Sequence, residues 1–314
     1  MYIITGVDGH FGSSVAELLL GAIPGDQLIF TTPFLDKIPP ARIERWRDSG
    51  VQVRIGDYDD PDGLTEAFKG GERLFMLSAM KVGPVRQREH KNAIEAAINA
   101  GVKYLVYTSY IGGEKDNAEA IVTVDHHYTE ELIKLSGLQW NVMRDSMYMQ
   151  TMANQMAQVG FDTGNWRVNE GEGRIGFVAR EDCIRVAVAL LLGKGEPHTA
   201  YDITGSEALS YPDIFRMVMT LAGRDDVEYL EVSDDELYAF WDSLHVPREA
   251  TGDFSRSPTP WCSDDMVSYG RCVRQGDMDL VTDHVEKLTG RKPIRMGEVL
   301  AAAAASWPKA PAKA

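Results

Sequence analysis

The sequence predicts an α/β protein, a doubly wound parallel sheet carrying a smaller C-terminal α/β lobe. Three observations point there. Short apolar, β-rich runs alternate with segments of helical period through the first half. A glycine-rich turn follows the first such run. Beyond residue 150 the alternation stops, and a stretch studded with Gly, Asn, Asp and Trp gives way to helices.

Tyr2–Thr5 reads as the first buried strand. Ser13–Leu20 follows as a helix, with Val15, Ala16, Leu18 and Leu19 on one side and Gly21 as its stop. Leu28–Thr31, Val51–Ile55 and Arg73–Leu77 supply three more strands. Ala93, Ile94, Ala97 and Ile98 recur at helical spacing between His90 and Ala100, Gly101 ends that helix, and Lys103–Thr108 forms the next strand. Trp140–Met143 is a further strand. Gly160–Gly176 reads as a loop or hairpin, and Asp182 as the cap of a helix burying Ile184, Val186, Ala187 and Leu190. Tyr201–Thr204 is one more strand, after which Ser210–Ala222, Ser233–Trp241 and Asp279–Thr289 read as helices. The expected organisation is a sheet domain over residues 1–150 to which 175–205 returns, a capping lobe of 151–174 and 206–305, and a flexible tail over 306–314.

The 314 residues carry 47 acids and 32 bases, a formal net charge of −15. That balance argues against nucleic acid or anionic lipid as partners, since both demand a positive field. The acidity is uneven: residues 1–105 hold 14 acids and 12 bases, whereas 206–242 hold 10 acids and 2 bases. The first half is therefore close to neutral and can accept a polyanion. Three cysteines, Cys183, Cys262 and Cys272, with no CxxC pair, suggest neither a disulfide framework nor a metal site. A reducing, cytoplasmic setting is expected. The opening MYIITG has no leader character, and Val186–Leu192, the most continuous aliphatic run, is far shorter than the about 20 residues a membrane span needs. No motif speaks to oligomeric state, and a homodimer is left open.

Thr5-Gly6-Val7-Asp8-Gly9-His10-Phe11-Gly12 sits between the first strand and the first helix, with glycines at spacing G-x-x-G-x-x-G. A backbone that turns tightly and admits a pyrophosphate to helix-start N–H groups needs glycines in this arrangement. Gly6, Val7, Asp8, Gly9, His10, Phe11 and Gly12 are accordingly expected to hold a dinucleotide. An acid at the end of the second strand would select NAD, through the ribose hydroxyls. Here that end reads Thr31-Thr32-Pro33, so NADP is favoured and NAD is retained; Lys37 and Arg42 downstream are either phosphate ligands or solvated surface. Asp57, after the third strand, either meets the adenine amino group or caps the following helix.

None of the 12 tyrosines has Lys four residues downstream, so the acid/base pair usual in short-chain dehydrogenases is absent. On the helix where it would sit, His126 occupies the Lys place and Val122 the Tyr place. His126 is read either as a proton donor or ribose ligand or as a polar helix residue. Ser109 and Tyr110 end the fifth strand, where open α/β sheets hold ligands. Arg144-Asp145-Ser146-Met147-Tyr148-Met149, with Met152 and Met156, forms either an adaptable wall for a flat aromatic molecule or ordinary core.

These pieces together resemble the NmrA-like, atypical short-chain dehydrogenases, in particular the quinone oxidoreductase branch that neighbours the isoflavone and pinoresinol reductases. The motifs are TGVDGHFG (Thr5–Gly12), GDYDDPDGL (Gly56–Leu64), VKYLVYTS (Val102–Ser109), the H-x-x-T-E step from His126 to Glu130, MRDSMY (Met143–Tyr148), FVAREDC (Phe177–Cys183), YDITGSEALSYPDI (Tyr201–Ile214) and HVEKLTGRKP (His284–Pro293). The resemblance implies a Rossmann domain binding NADPH and a lobe closing over the substrate. It implies cofactor contacts at Gly6 to Phe11, Thr31, Leu77, Ser78, Ala79, Asp145, Ser146 and Arg180. Two departures stand out: Thr31-Thr32 where the branch usually has Arg-Asn, and Asp145 where the family often has Asn or Pro. The implied activity is hydride transfer to a small neutral aromatic acceptor, a quinone or a lignan-type phenolic, with His126, Tyr110 and Tyr148 as candidate donors in that order. The alternative is a catalytically silent NAD(P) sensor that binds a protein partner.

Overall fold

The computed structural model describes residues 1–115 and 119–308. The elements run β1 (Tyr2–Ile4), α1 (His10–Leu20), β2 (Leu28–Thr32), α2 (Pro40–Asp48), β3 (Gln52–Ile55), α3 (Pro61–Phe68), β4 (Arg73–Met76), α4 (Pro84–Asn99), β5 (Tyr104–Tyr110), α5 (Ile121–Leu135) and β6 (Gln139–Asp145). There follow α6 (Met149–Thr151), a π-helical turn over Met152–Met156, α7 (Ala157–Thr163), β7 (Asn165–Val168), β8 (Arg174–Ile175), α8 (Arg180–Leu191) and β9 (Thr199–Ile203). The chain closes with β10 (Leu209–Ser210), α9 (Tyr211–Ala222), β11 (Glu228–Glu231), α10 (Asp234–Ser243), α11 (Ser263–Arg274), α12 (His284–Thr289) and α13 (Met296–Ala303). Two compact units emerge among the described residues: 1–114, 125–144 and 183–201, and 115, 119–124, 145–182 and 202–308.

The first unit is built on a seven-stranded sheet of order β3-β2-β1-β4-β5-β6-β9. The pairs β1–β2, β2–β3, β1–β4 and β4–β5 are parallel, with Ile4 opposite both Phe30 and Phe75. Strand order reverses between β1 and β4, which makes the carboxyl ends of these two strands the place for a ligand. All five residues of β2 are buried, as befits a parallel strand covered on both faces. Ile3, Ile29, Leu64, Phe68, Leu74, Met76, Leu105 and Val142 form the core beneath the strands.

α1 begins at His10 instead of the expected Ser13, so the last glycine of the loop is already helical. Gly12 permits this, because a Cβ there would lie 2.3 Å from the Gly6 carbonyl oxygen.

In the second unit the stretch Gly160–Gly176 is neither a loop nor a hairpin. α7 continues to Thr163, Gly164 (φ 71°) ends it, β7 pairs in parallel with β11, and β8 pairs antiparallel with β10. Both partner strands come from distant sequence, which no local pattern reveals. Ser210 and Ser233 open α9 and α10 with reciprocal bonds to Asp213 and Glu236, so each serine is the N-cap just outside its helix and not its first residue. Asp182 lies inside the first turn of α8 and accepts from the Ile294 N–H at 2.8 Å, which replaces its expected capping role. The helix expected from Asp279 starts only at His284; Thr282 first bonds Thr204 Oγ1 and the Asp202 carbonyl, holding that segment extended. Of the tail expected over 306–314, Trp307 is 8% exposed and donates its indole N–H to the Ala153 carbonyl, and 309–314 lie outside the described residues. Among the described residues no helix is long and apolar enough to cross a membrane.

Candidate functional site

The site in the first unit grows from the ends of β1 and β4. Thr5 Oγ1 donates to the Phe75 carbonyl and accepts from the Leu77 N–H at 3.0 Å, while the Tyr58 hydroxyl lies 2.9 Å from Thr5 Oγ1 and 3.0 Å from the Leu77 carbonyl. Three segments are thereby locked around the point where the glycine loop leaves the sheet. Gly6 has φ +67°, a left-handed conformation open to glycine, and it turns the chain toward α1.

The three glycines answer to different demands. Gly6 and Gly12 are required by the protein itself, the first for its backbone and the second because its Cβ would strike backbone. Gly9 is not: its Cβ would meet only the Gly6 carbonyl, at an ordinary 3.5 Å. Gly9 is also the N-cap of α1, where no side chain caps the helix. A bare helix start behind a glycine that internal packing does not demand fits the pyrophosphate of a dinucleotide.

At the end of β2, Thr31 and Thr32 are buried. Thr31 donates to the Ile4 carbonyl and takes the Val7 N–H on its own carbonyl, so it fixes the loop instead of turning outward. Thr32 Oγ1 donates to Asp8 Oδ1 at 2.6 Å. Asp57 accepts the Asp59 N–H, a local turn; the cap of α3 is Asp60, which accepts from the Gly63 N–H.

The segment after β4 is pinned from behind. The Ser78 N–H reaches Thr108 Oγ1 and the Ala79 N–H reaches His90 Nε2, both at 2.8 Å. Arg86 donates to the Ala79 and Met80 carbonyls, and Asp125 accepts from the Gly83 N–H and Gln87. Arg86 and Asp125 are both buried, with Nη1 3.6 Å from Oδ2. Leu77, Ser78 and Ala79 therefore present a fixed edge at the switch point.

Beside this edge lies a cluster that sequence reading missed: His90 with Tyr107 and Thr129, reaching His126. His90 Nε2 accepts from Ala79, which places the His90 proton on Nδ1, facing Thr129 Oγ1 at 2.9 Å and the Tyr107 hydroxyl at 3.2 Å. Thr129 donates to the Asp125 carbonyl. The Tyr107 hydroxyl is left to donate to His126 Nδ1, 2.7 Å away, so His126 carries its proton on Nε2. Burial, reinforced by the Arg86 charge, holds both histidines well below the ordinary imidazole range. Burial drives the Tyr107 phenol the other way. His126 is thus a neutral imidazole, against which the Tyr110 ring stacks at 6.2 Å. The only sequence sign of the cluster was polar pairs four apart on otherwise apolar helix faces, Arg86 with His90 and Asp125 with Thr129.

One step along α5 the chemistry is ionic. Glu130, 1% exposed, accepts from Ser109 Oγ at 2.6 Å and takes a bidentate fork from Arg144 at 2.9 and 2.7 Å. Arg144 also meets Glu114 at 3.1 Å.

The other expected site residues belong to the second unit. There the Ser146 N–H donates to the Ile203 carbonyl, the Tyr148 hydroxyl donates to Asp145 Oδ2 at 2.8 Å, and the Arg180 guanidinium lies 5.2 Å over the Tyr148 ring. Tyr148 and Asp145 thus act on each other, and Arg180 orients the ring.

Known proteins resemble this chain in sequence and in fold. A family model described as NAD(P)H-binding matches residues 6–192. Quinone oxidoreductase 2 of Escherichia coli is 28% identical over 247 residues, 79% of this chain and 83% of that protein. Its crystal structure complexed with NADPH shares the fold, with a TM-score of 0.82 at 24% identity over 96% of this chain and 99% of that one. An NmrA-like family domain-containing oxidoreductase of Aspergillus flavus is 28% identical over 305 residues, covering 93% of this chain and 91% of its own. The NAD(P)H azoreductase of Xenophilus azovorans is 27% identical over 309 residues, 98% and 99% of the two chains. With a glycine cradle at the sheet's switch point and a family match across more than half its length, the chain belongs to the NAD(P)H-binding family and stands with its NmrA-like oxidoreductases.

Proposed function

We propose that the protein is a reductase that transfers hydride from NAD(P)H to a small, neutral aromatic acceptor, a quinone or a related conjugated phenolic. The observation that carries this reading is the neutral His126–Tyr110 stack beside the fixed Leu77–Ala79 edge, where a proton-donating pair would otherwise stand. Bound NAD(P)H supplies the hydride. The chain's own residues orient the reactants: Gly9 and the start of α1 receive the pyrophosphate, and Leu77, Ser78 and Ala79 supply a backbone edge. His126 offers a neutral Nε2–H as a hydrogen-bond donor. Hydride transfer to a quinone leaves a weakly basic hydroquinone monoanion, so placement matters more than a strong acid, and the one proton that completes the reduction comes from water. Relatives that act on quinones and azo compounds support this acceptor class.

The test is NADH and NADPH oxidation, followed at the nicotinamide absorbance band, against benzoquinones, naphthoquinones, an azo dye, simple aldehydes and a lignan-type aryl ether. Turnover with quinones and little with unactivated aldehydes is expected. No oxidation of either dinucleotide across the panel overturns the reading and favours a silent sensor.

A further inference from the structure

We infer that Asp8 selects NADH over NADPH in this chain. The inference rests on the dinucleotide reading above and adds to it the choice between the two forms. The end of β2 carries no acid in the sequence, the pattern usually associated with NADP. In space the acid is supplied from the glycine loop. The Val7 N–H binds the Thr31 carbonyl at 3.3 Å and the Gly56 N–H binds the Thr32 carbonyl at 3.0 Å, which ties the loop and the β3 end to the last two residues of β2. Asp8 lies directly after Val7, and its Oδ1 takes the Thr32 hydroxyl at 2.6 Å.

Two consequences follow for a ligand at this strand end. A hydroxyl has one proton, and Thr32 directs it at Asp8 while accepting the Phe34 N–H at 3.0 Å, so Thr32 has no donor to give a phosphate. Asp8 itself has no ion-pair partner among the described residues, and its Oδ2 remains an acceptor suited to a ribose hydroxyl. A 2′-phosphate in that place would set two anions together without a cation between them, a juxtaposition that costs heavily.

The basic side chains nearby do not reverse this. Lys37 rests over the Phe34 ring at 3.6 Å, exposed and on a flexible stem. Arg42 shares the field of Glu17, which already pairs with Arg45 and accepts the Trp46 indole N–H. Asp8, by contrast, is fixed by its bond to a fully buried threonine.

The experiment is a direct binding titration of the purified full chain, without acceptor, with NADH and NADPH read separately by calorimetry. The wild type is expected to bind NADH more tightly by about tenfold or more. D8N keeps an acceptor for Thr32 without the charge, and D8T removes the carboxylate. Each is expected to lower the NADH preference by about tenfold, and K37A to leave it within about twofold. Thermal unfolding of each variant shows which are folded; the near-isosteric D8N keeps the test alive if D8T is not. A wild type that prefers NADPH, or a ratio unmoved in D8N, overturns the inference while leaving the reductase reading intact. Failure of the wild type to bind either dinucleotide overturns the reductase reading and this inference with it.

Discussion

The glycine loop and the histidine cluster share one sheet edge and owe their geometry to opposite causes. The loop is a backbone device: Gly6 needs its positive φ, Gly12 needs a missing Cβ, and both demands are met within seven residues of sequence. The cluster is a side-chain device assembled from α4, β5 and α5, in which His90, Tyr107, Thr129 and His126 satisfy one another over separations of 17 to 39 residues. A loop of the first kind withstands changes around it and fails at single glycines. A cluster of the second kind depends on each partner keeping its proton in place.

The sharpest way to break this contrast is at the glycines. G12A forces a Cβ to 2.3 Å from the Gly6 carbonyl; we expect a stability loss of about 3 kcal/mol in denaturant unfolding and loss of dinucleotide binding. G9A meets only an ordinary 3.5 Å contact; it should unfold within about 0.5 kcal/mol of wild type yet bind the dinucleotide more than about tenfold more weakly. Equal effects at the two positions would dissolve the distinction between a structural and a ligand-facing glycine.

Next in size is E130Q on the ionic side of α5. One Gln oxygen can still accept the Ser109 hydroxyl and the Arg144 Nε–H, but the second arm of the fork then faces an NH₂ group, and a half-buried guanidinium loses its buried counter-charge. About 3 kcal/mol of stability should go, measured by chemical denaturation, with Glu114 able to compensate only part of it.

The neutral side is tested by pH. Both His90 and His126 have folded pKa values depressed below the unfolded value near 6.5, so the unfolded chain binds more protons below that pH. Stability from this source is fully present above pH about 6.5 and falls as the pH drops toward the folded values, by up to about 1.4 kcal/mol per pH unit for each histidine. H126N should remove one of the two contributions to that slope. An unchanged slope would mean that His126 is not held neutral.

How much of this the sequence discloses follows the same division. The sheet, the glycine cradle and the first-half helices are legible because spacing and periodicity act over a few residues. Helix caps such as Ser210 and Ser233 are legible to within one residue. The pairing of β7 with β11 is not, since the partner strand arrives some sixty residues later. The placement of Asp8 at the end of β2 is hidden for the same reason: the rule that reads the strand's own last residues does not see an acid brought by the preceding loop. His126 could be singled out by its place on the helix, whereas its neutrality comes from burial and from the Arg86 charge, and nothing in the linear order attaches Arg86 to it.

The most direct test is the rate of hydride transfer to a quinone in a single turnover, followed by stopped flow from pH 6 to 8. With a neutral His126 and water as the proton source, the rate should stay flat over that range in both wild type and H126N. A rate that falls as pH rises, with an apparent pKa that disappears in H126N, would show that His126 acts as an acid and would contradict the reading of this site as one that orients its acceptor without protonating it.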